Sequence, residues 1–174
     1  MKIYLTAVFF ILILMTSGCH REESFIRFDH FYHLCEEIEI DGRPCTILHI
    51  YAEAPQYNWV DAPGEGIACV DDVARGAVLL ITAAESGIQI DQKHLYGMLN
   101  FILAMQTPDG DFYNFIHKDY TINRTGPTSK KSFVFWAARA YWALGRAYVY
   151  FRSRDPSFAQ TLKSAFLHCL PPLD

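Results

Sequence analysis

The chain has 174 residues and a formal net charge of −4, and 51% of its residues are hydrophobic and 15% aromatic. This length suits one domain with a real core, and the basic residues are not clustered as they would be on a nucleic-acid-binding surface. The composition therefore argues against a nucleic-acid partner. It favours a domain whose many rings serve a packed core or a site that stacks on flat apolar faces.

Residues 1–18 have the parts of a secretory signal peptide. Lys2 supplies a positive start, an apolar run extends from Ile3 to Met15, and small residues precede Cys19. The apolar run is shorter than the roughly 18–20 residues that cross a bilayer, so a signal peptide is favoured over a permanent anchor. We predict an exported protein in the periplasm or at the cell surface.

Residues 16–19 resemble a bacterial lipobox, in which the cysteine is lipidated and becomes the first residue of the mature protein. Ser17, Gly18 and Cys19 fit this pattern, whereas Thr16 stands where a branched aliphatic residue is usual. The resemblance implies lipidation of Cys19 and a membrane partner, because acyl chains tether proteins to bilayers. A plain secreted protein with an incidental cysteine is the alternative.

The first predicted element of the domain is a β-hairpin. Weak alternation over Cys35–Ile40 leads into Asp41-Gly42, a strong turn signal, and a return strand follows over Cys45–Tyr51. Cys35 and Cys45 could form a disulfide across this hairpin, or could remain buried free thiols. The cysteine spacings match no zinc pattern, and neither a metal site nor a cofactor is predicted.

Four helices are predicted after a loop over residues 54–66, because apolar residues recur at helical spacing. They cover Cys69–Glu85, Asp91–Met105, Lys131–Phe151 and Asp155–Leu170, with a long irregular segment over residues 111–130. The third helix is apolar on nearly every face, which predicts burial inside a larger assembly. Arg139 and Arg146 lie on one face of it, so we expect them to bridge to other helices.

Three segments resemble the six-hairpin, or (α/α) toroid, glycosidase superfamily. They are Trp59–Arg75, the turn Met105–Phe112 with its Gln-Thr-Pro-Asp-Gly-Asp-Phe sequence, and Trp136–Gly145 with its Ala-Arg-Ala-Tyr-Trp-Ala-Leu sequence. In such proteins inner helices line a barrel, and loops at one end form a sugar-binding cleft. The resemblance implies a mainly α fold, a partial (α/α) toroid of helical hairpins with a short N-terminal β-hairpin.

The same resemblance implies an incomplete domain. A closed toroid contains many more helices than the four predicted here, so residues 32–174 are expected to form part of one, after a spacer at residues 19–31. A truncated reading frame, a fragment and an open array of hairpins all remain possible. Missing hairpins would leave apolar inner faces uncovered, which predicts exposed hydrophobic surface and marginal stability.

Asp71 and Asp72 are the candidate catalytic residues, since glycoside hydrolysis ordinarily uses two carboxylates that flank the scissile bond. Neighbouring helical side chains point about 100° apart, so one of the two could instead pair with Arg75. Acids at a helix start also stabilise the helix without any catalysis. The candidate substrate-binding residues, rings for sugar faces and polar groups for hydroxyls or a uronate, are Trp59, Asp61, Glu65, Tyr113, Asn114, His117 and Arg124.

Together these features predict a carbohydrate-active protein, glycoside hydrolase-like, that acts on extracytoplasmic poly- or oligosaccharide. A non-catalytic sugar-binding or scaffold lipoprotein and an inert fragment are the alternatives. Whether the protein is an enzyme stays open, as do the sugar, the linkage and the choice among hydrolase, lyase and epimerase.

Overall fold

A computed structural model describes residues 26–170 of the chain. The predicted signal peptide and the predicted lipidation site, Cys19, lie outside the described residues, so export and lipidation remain predictions. Within residues 26–170, no helix combines the length and the apolar character that crossing a bilayer requires.

The described residues form five helices and six strands. The helices are α1 (Asp29–His33), α2 (Val70–Glu85), α3 (Gln92–Met105), α4 (Phe135–Phe151) and α5 (Pro156–His168). The strands are β1 (Cys35–Ile40), β2 (Arg43–Leu48), β3 (Tyr51–Glu53), β4 (Asn58–Val60), β5 (Ala68–Cys69) and β6 (Phe115–Ile116). The predicted β-hairpin and the four predicted helices are confirmed. The third predicted helix begins at Phe135 rather than at Lys131.

The predicted fold class, a mainly α partial (α/α) toroid, is wrong. The described residues are 45% helical and 20% in strands or isolated β-bridges, and the strands form three small antiparallel sheets, so the fold is mixed α and β. The additional strands lie mostly in segments that were predicted as loops, although Tyr51 was predicted at the end of a strand and Cys69 at the start of a helix. Strands of two or three residues show no readable alternation, and the β5–β6 pairing also depends on a distant contact, that of Ala68 with Ile116.

The helices and the first hairpin share one core. Helix α2 packs against α3 and α4, α4 packs against α5, and the β1–β2 hairpin covers α3. Large side chains such as Leu80, Leu99 and Phe151 are almost completely buried between these elements. Gly97 lets β2 approach α3 closely, because a Cβ at this position would lie 2.7 Å from the main-chain nitrogen of Thr46.

Helix α4 is buried on one side and exposed on another in the described structure. Trp136 and Leu144 are in the core, but Phe135, Trp142 and Val149 are 54%, 48% and 45% exposed. Successive residues of this exposed set are seven positions apart, so they form one apolar stripe along the helix. Exposed large apolar side chains also occur outside this helix. Burial of the helix inside a larger assembly and marginal stability stay predictions.

The cysteines within residues 26–170 are free thiols. Cys35 lies opposite Leu48 and Cys45 lies opposite Ile38 in the β1–β2 pairing, so the hairpin does not place the two cysteines face to face. Burial raises the pKa of the Cys45 thiol to about 11. Free thiols, rather than a disulfide, are thus the alternative that the structure supports.

Candidate functional site

The two predicted catalytic carboxylates begin α2 and form ion pairs with arginines. Asp71 pairs with Arg139 of α4, and Asp72 pairs with Arg75 one turn further along α2. The Arg75 Nη2 atom also lies 3.6 Å from Asp71 Oδ2, so the expected pairing with Arg75 is confirmed for both acids. We call Asp71, Asp72, Arg75 and Arg139 the ion-pair cluster.

Two neighbouring polar groups support the ion-pair cluster. The Asn114 side chain accepts a hydrogen bond from the main-chain nitrogen of Asp71 at 3.4 Å and donates one to the carbonyl of Thr128 at 2.9 Å. The Cys69 thiol donates to Asp72 at 3.3 Å. Burial raises the pKa of Cys69 well above its ordinary value, so this group is a neutral donor and a poor nucleophile.

Arg139 and Arg146 bridge α4 to α2, as the sequence predicted. Arg139 pairs with Asp71, and Arg146 donates to Glu85 at 2.6 Å near the other end of α2. The guanidinium of Arg139 also lies 5.8 Å from the ring centroid of Phe135. The cluster therefore joins two packed helices, and each of its carboxylates has a compensating positive charge.

A second group of predicted residues lines a cleft between loops. One cavity, of about 450 Å³, is lined by Asp61 through Gly66 and by His117, Lys118 and Asp119. A smaller cavity, of about 210 Å³, is lined by Glu36, His49, Trp59, Asp61, Ile67, Lys118 and Tyr120. Asp61 and Lys118 belong to both, so the cavities adjoin, and together we call them the loop cleft. The fold thus brings together Trp59, Asp61, Glu65 and His117.

The floor of the loop cleft is a tight turn that rests on β6. Ala62 donates to the carbonyl of Gly66 at 2.8 Å, and Ile67 donates to the carbonyl of Ile116 at 3.0 Å. Gly66 has a φ of 154°, and a Cβ there would overlap the Ile116 carbonyl oxygen. Only glycine fits this close approach, and the contact holds the turn against the strand.

Trp59 presents a fixed ring at the edge of the cleft. Its indole stacks on His49 with ring centroids 3.9 Å apart and an angle of 13° between the planes. The indole nitrogen donates to the carbonyl of His33 at 3.0 Å. One ring face is covered by His49, and Trp59 is still 42% exposed, so part of the indole is accessible to a ligand.

A hydrogen-bond chain runs beneath this ring. His49 Nε2 lies 2.8 Å from Glu36 Oε2, and the Tyr120 hydroxyl donates to Glu36 Oε1 at 2.8 Å. The bond to Glu36 also raises the pKa of Tyr120. A carboxylate only accepts, so His49 carries a hydrogen on Nε2, and its Nδ1 has no partner in the described structure.

Asp61 and Glu65 have few protein partners. Glu65 Oε1 accepts from the main-chain nitrogen of Thr128 at 3.1 Å, while Glu65 Oε2 has no partner among residues 26–170. Gly126 makes room for this side chain, since a Cβ there would lie 2.5 Å from Oε2. Asp61 is exposed, and its carboxylate forms no hydrogen bond or ion pair with the described residues.

The remaining predicted residues lie outside the loop cleft. Asn114 is buried beneath the ion-pair cluster, and the Arg124 guanidinium lies 4.7 Å from the ring centroid of Tyr113. Sequence reasoning missed Glu36 and His49, although a signal existed. The Asp41-Gly42 turn sets a register in which Glu36 and His49 are diagonal neighbours on one face of the extended hairpin.

No family model matches this chain, and no curated protein matches it by sequence. Function therefore has to be inferred from the residues that line the loop cleft.

Proposed function

We propose that the protein binds carbohydrate in the loop cleft, with Trp59 as the platform for a pyranose ring. The observation that carries this proposal is the indole itself, which is 42% exposed yet held by a stack and a hydrogen bond. Sugar rings present flat C–H faces that suit aromatic rings and hydroxyls that suit nearby polar groups. An indole that is already fixed binds with little additional loss of conformational freedom.

The polar groups around Trp59 fit the hydroxyls of a sugar. Asp61 lines both cavities, and Glu65 and His117 line the larger one. That cavity, of about 450 Å³, falls within the range of about 300–1,000 Å³ that is usual for small-molecule sites. A ring stacked on Trp59 would therefore have acceptors at its edge and space for a neighbouring sugar unit.

Glycoside hydrolysis is a second candidate function, and one observation favours it. Asp61 and Glu65 line the same cavity, and neither is paired with an arginine. Hydrolysis ordinarily uses two such carboxylates, one as acid and one as base or nucleophile. The release of reducing ends from oligosaccharides, compared among wild type, Asp61→Asn, Glu65→Gln and Asp71→Asn, would show which carboxylates act, including the predicted Asp71.

The predicted signal peptide and the predicted lipidation of Cys19 would place this site outside the cytoplasm, where its ligand would be an extracytoplasmic oligo- or polysaccharide. A protein tethered outside the cytoplasm meets glycans of the envelope and the surroundings. Labelling with a radioactive fatty acid, in wild type and in Cys19→Ser, would test the tether. Loss of label in the variant is the expected result, and an unlabelled wild type would contradict the lipid anchor.

The direct test of sugar binding compares two exposed tryptophans. A glycan array would identify ligands, and titration calorimetry would measure their affinities for wild type, Trp59→Ala and Trp142→Ala. Trp142 is the matched control, because it is 48% exposed but lies on α4. We expect Trp59→Ala to weaken binding about tenfold, or about 1.4 kcal/mol, with no change in Trp142→Ala. No binding at millimolar sugar, or equal effects of both variants, would contradict the proposal.

A further inference from the structure

We propose that the ligand of the loop cleft is an amino sugar, whose protonated amine is recognised by the acidic lining. This inference rests on the proposed function and narrows it to one substrate class. Three observations support it: the carboxylates that line the cleft, the buried polar atoms that lack partners, and the exposed indole of Trp59.

The lining of the cleft is predominantly negative. It contains four carboxylates, one lysine and two histidines, namely Glu36, Asp61, Glu65, Asp119, Lys118, His49 and His117. Hydrogen bonds from the hydroxyl and main-chain nitrogen of Thr121 lower the pKa of Asp119, so this group is ionised. Concave sites lined by one sign of charge attract ligands of the opposite sign.

The cleft also has buried polar atoms without partners, and one of them is an acceptor. Glu65 lines the larger cavity, and its buried Oε2, which can only accept while the group is ionised, has no partner in the described structure. His49 is only 5% exposed and lines the smaller cavity, with Nε2 engaged by Glu36 and Nδ1 without a partner in the described structure. An unpaired buried acceptor is costly, which favours a ligand that brings donors. An ammonium group supplies three donors and no acceptor, whereas a hydroxyl brings an acceptor with its one donor.

Trp59 adds a further preference for positive charge. The faces of an indole are electron-rich, and a cation within about 6 Å of such a ring is attracted to it. Asp61 lines both cavities beside this ring, so a stacked amino sugar would meet the indole and a carboxylate together. Arg124 is the predicted partner of a uronate, but it lies over Tyr113 and outside the cleft. The geometry therefore favours a basic sugar over an acidic one.

Three β-1,4-linked tetramers, those of glucosamine, N-acetylglucosamine and glucose, distinguish recognition of the amine from recognition of the sugar ring. Calorimetry on the protein at about pH 6, where sugar amines are protonated, is run at about 20 mM and about 500 mM salt. We expect the glucosamine tetramer to bind at least about tenfold more tightly than the other two at low salt, with the advantage shrinking at high salt. Asp61→Asn should reduce that advantage, and Lys118→Gln should increase it.

Glu39→Gln is the matched control, since Glu39 is an exposed carboxylate of β1 that lines neither cavity of the loop cleft. It should leave all three affinities unchanged. Equal or tighter binding of the acetylated or unsubstituted tetramer would overturn the amino-sugar inference and leave carbohydrate binding in place. No binding of any tetramer, together with an array free of ligands, would overturn both. An unchanged glucosamine advantage in both Asp61→Asn and Lys118→Gln would also overturn the inference.

Discussion

The ion-pair cluster contains the adjacent Asp71 and Asp72, and the loop cleft contains Asp61 and Glu65 among its four carboxylates, but the partners of these two pairs differ. In the cluster, Asp71 and Asp72 contact arginines on α2 and α4. In the cleft, Asp61 has no described partner and Glu65 keeps one oxygen unpaired. Residue type and spacing therefore do not tell which carboxylates are paired with arginines. The fold decides this, because it determines which positive side chains lie beside each carboxylate.

The two regions also differ in how they are built. The cluster joins two regular helices, so we expect its side chains to contribute mainly to stability. The cleft is assembled from loops that are held by main-chain contacts, such as Ile67 with Ile116. We therefore expect its side chains to affect ligand binding, and its backbone contacts to affect folding.

The largest effect is expected for Gly66→Ala. The new Cβ would overlap the Ile116 carbonyl, so the turn beneath the cleft would have to move. We expect a loss of at least about 3 kcal/mol in the free energy of unfolding, measured with chemical denaturant. Gly64→Ala is the control, because Gly64 has a φ of 79° but no atom within 4 Å of its Cβ position, and should cost about 1 kcal/mol. Equal effects would argue against the close approach at Gly66.

Breaking the ion-pair cluster should lower stability without changing sugar binding. Asp71 is 14% and Arg139 39% exposed, so the pair is partly shielded from solvent. We expect Arg139→Met to cost about 1–2 kcal/mol, with a coupling to Asp71→Asn of about 1 kcal/mol in a double-mutant cycle. If Asp71→Asn instead weakened sugar binding tenfold at unchanged stability, the cluster would belong to the functional site.

Removing the ring that supports Trp59 should weaken sugar binding, because the indole would no longer be held in position. His49→Ala removes the ring that stacks on the indole at 3.9 Å. We expect an affinity loss of about fivefold, or about 1 kcal/mol, measured by calorimetry. His168→Ala is the control, because His168 lies on α5 and its side chain contacts the carbonyl of Pro108 rather than the Trp59 ring. An unchanged affinity in His49→Ala would show that the stack does not position Trp59.

The smallest effect is expected for the N-terminal cap of α3, which is not part of the loop cleft. The Asp91 side chain accepts from the main-chain nitrogens of Lys93 and His94. Burial opposes ionisation, but the hydrogen bonds with His94 and Lys93 outweigh it and lower the pKa of Asp91. A lowered folded-state pKa stabilises the fold above the unfolded value, about 4, and this contribution disappears as the pH falls through the folded value.

Asp91→Ala should therefore cost about 1 kcal/mol at neutral pH, and less at acidic pH. Asp91→Asn keeps the cap without the charge, so its stability relative to wild type should improve as the pH falls below about 4. Thermal unfolding across this pH range would measure both. A difference between Asp91→Ala and wild type that stays constant with pH would contradict the role of the charged cap.

The helices and the first hairpin could be predicted from sequence because their signals are local. Apolar spacing marks α2 through α5, and Asp41-Gly42 marks the turn between β1 and β2. The bridging role of Arg139 was also predictable, since a guanidinium on an apolar helix needs an acceptor. The fold class was not predictable, because β3 through β6 are too short to show alternation, and β5 and β6 pair with each other across a long separation in the chain.

The sequence by itself determined these local elements, and it indicated several residues of the candidate site, namely Trp59, Asp61, Glu65 and His117. Only the tertiary structure decided which of those residues share a cleft and which carboxylates are compensated by arginines. It also brought Glu36, His49 and Tyr120, from three separate segments, beneath and beside the indole. The physical reason is that periodicity and turn chemistry act between near neighbours, whereas a cleft depends on contacts between segments far apart in sequence.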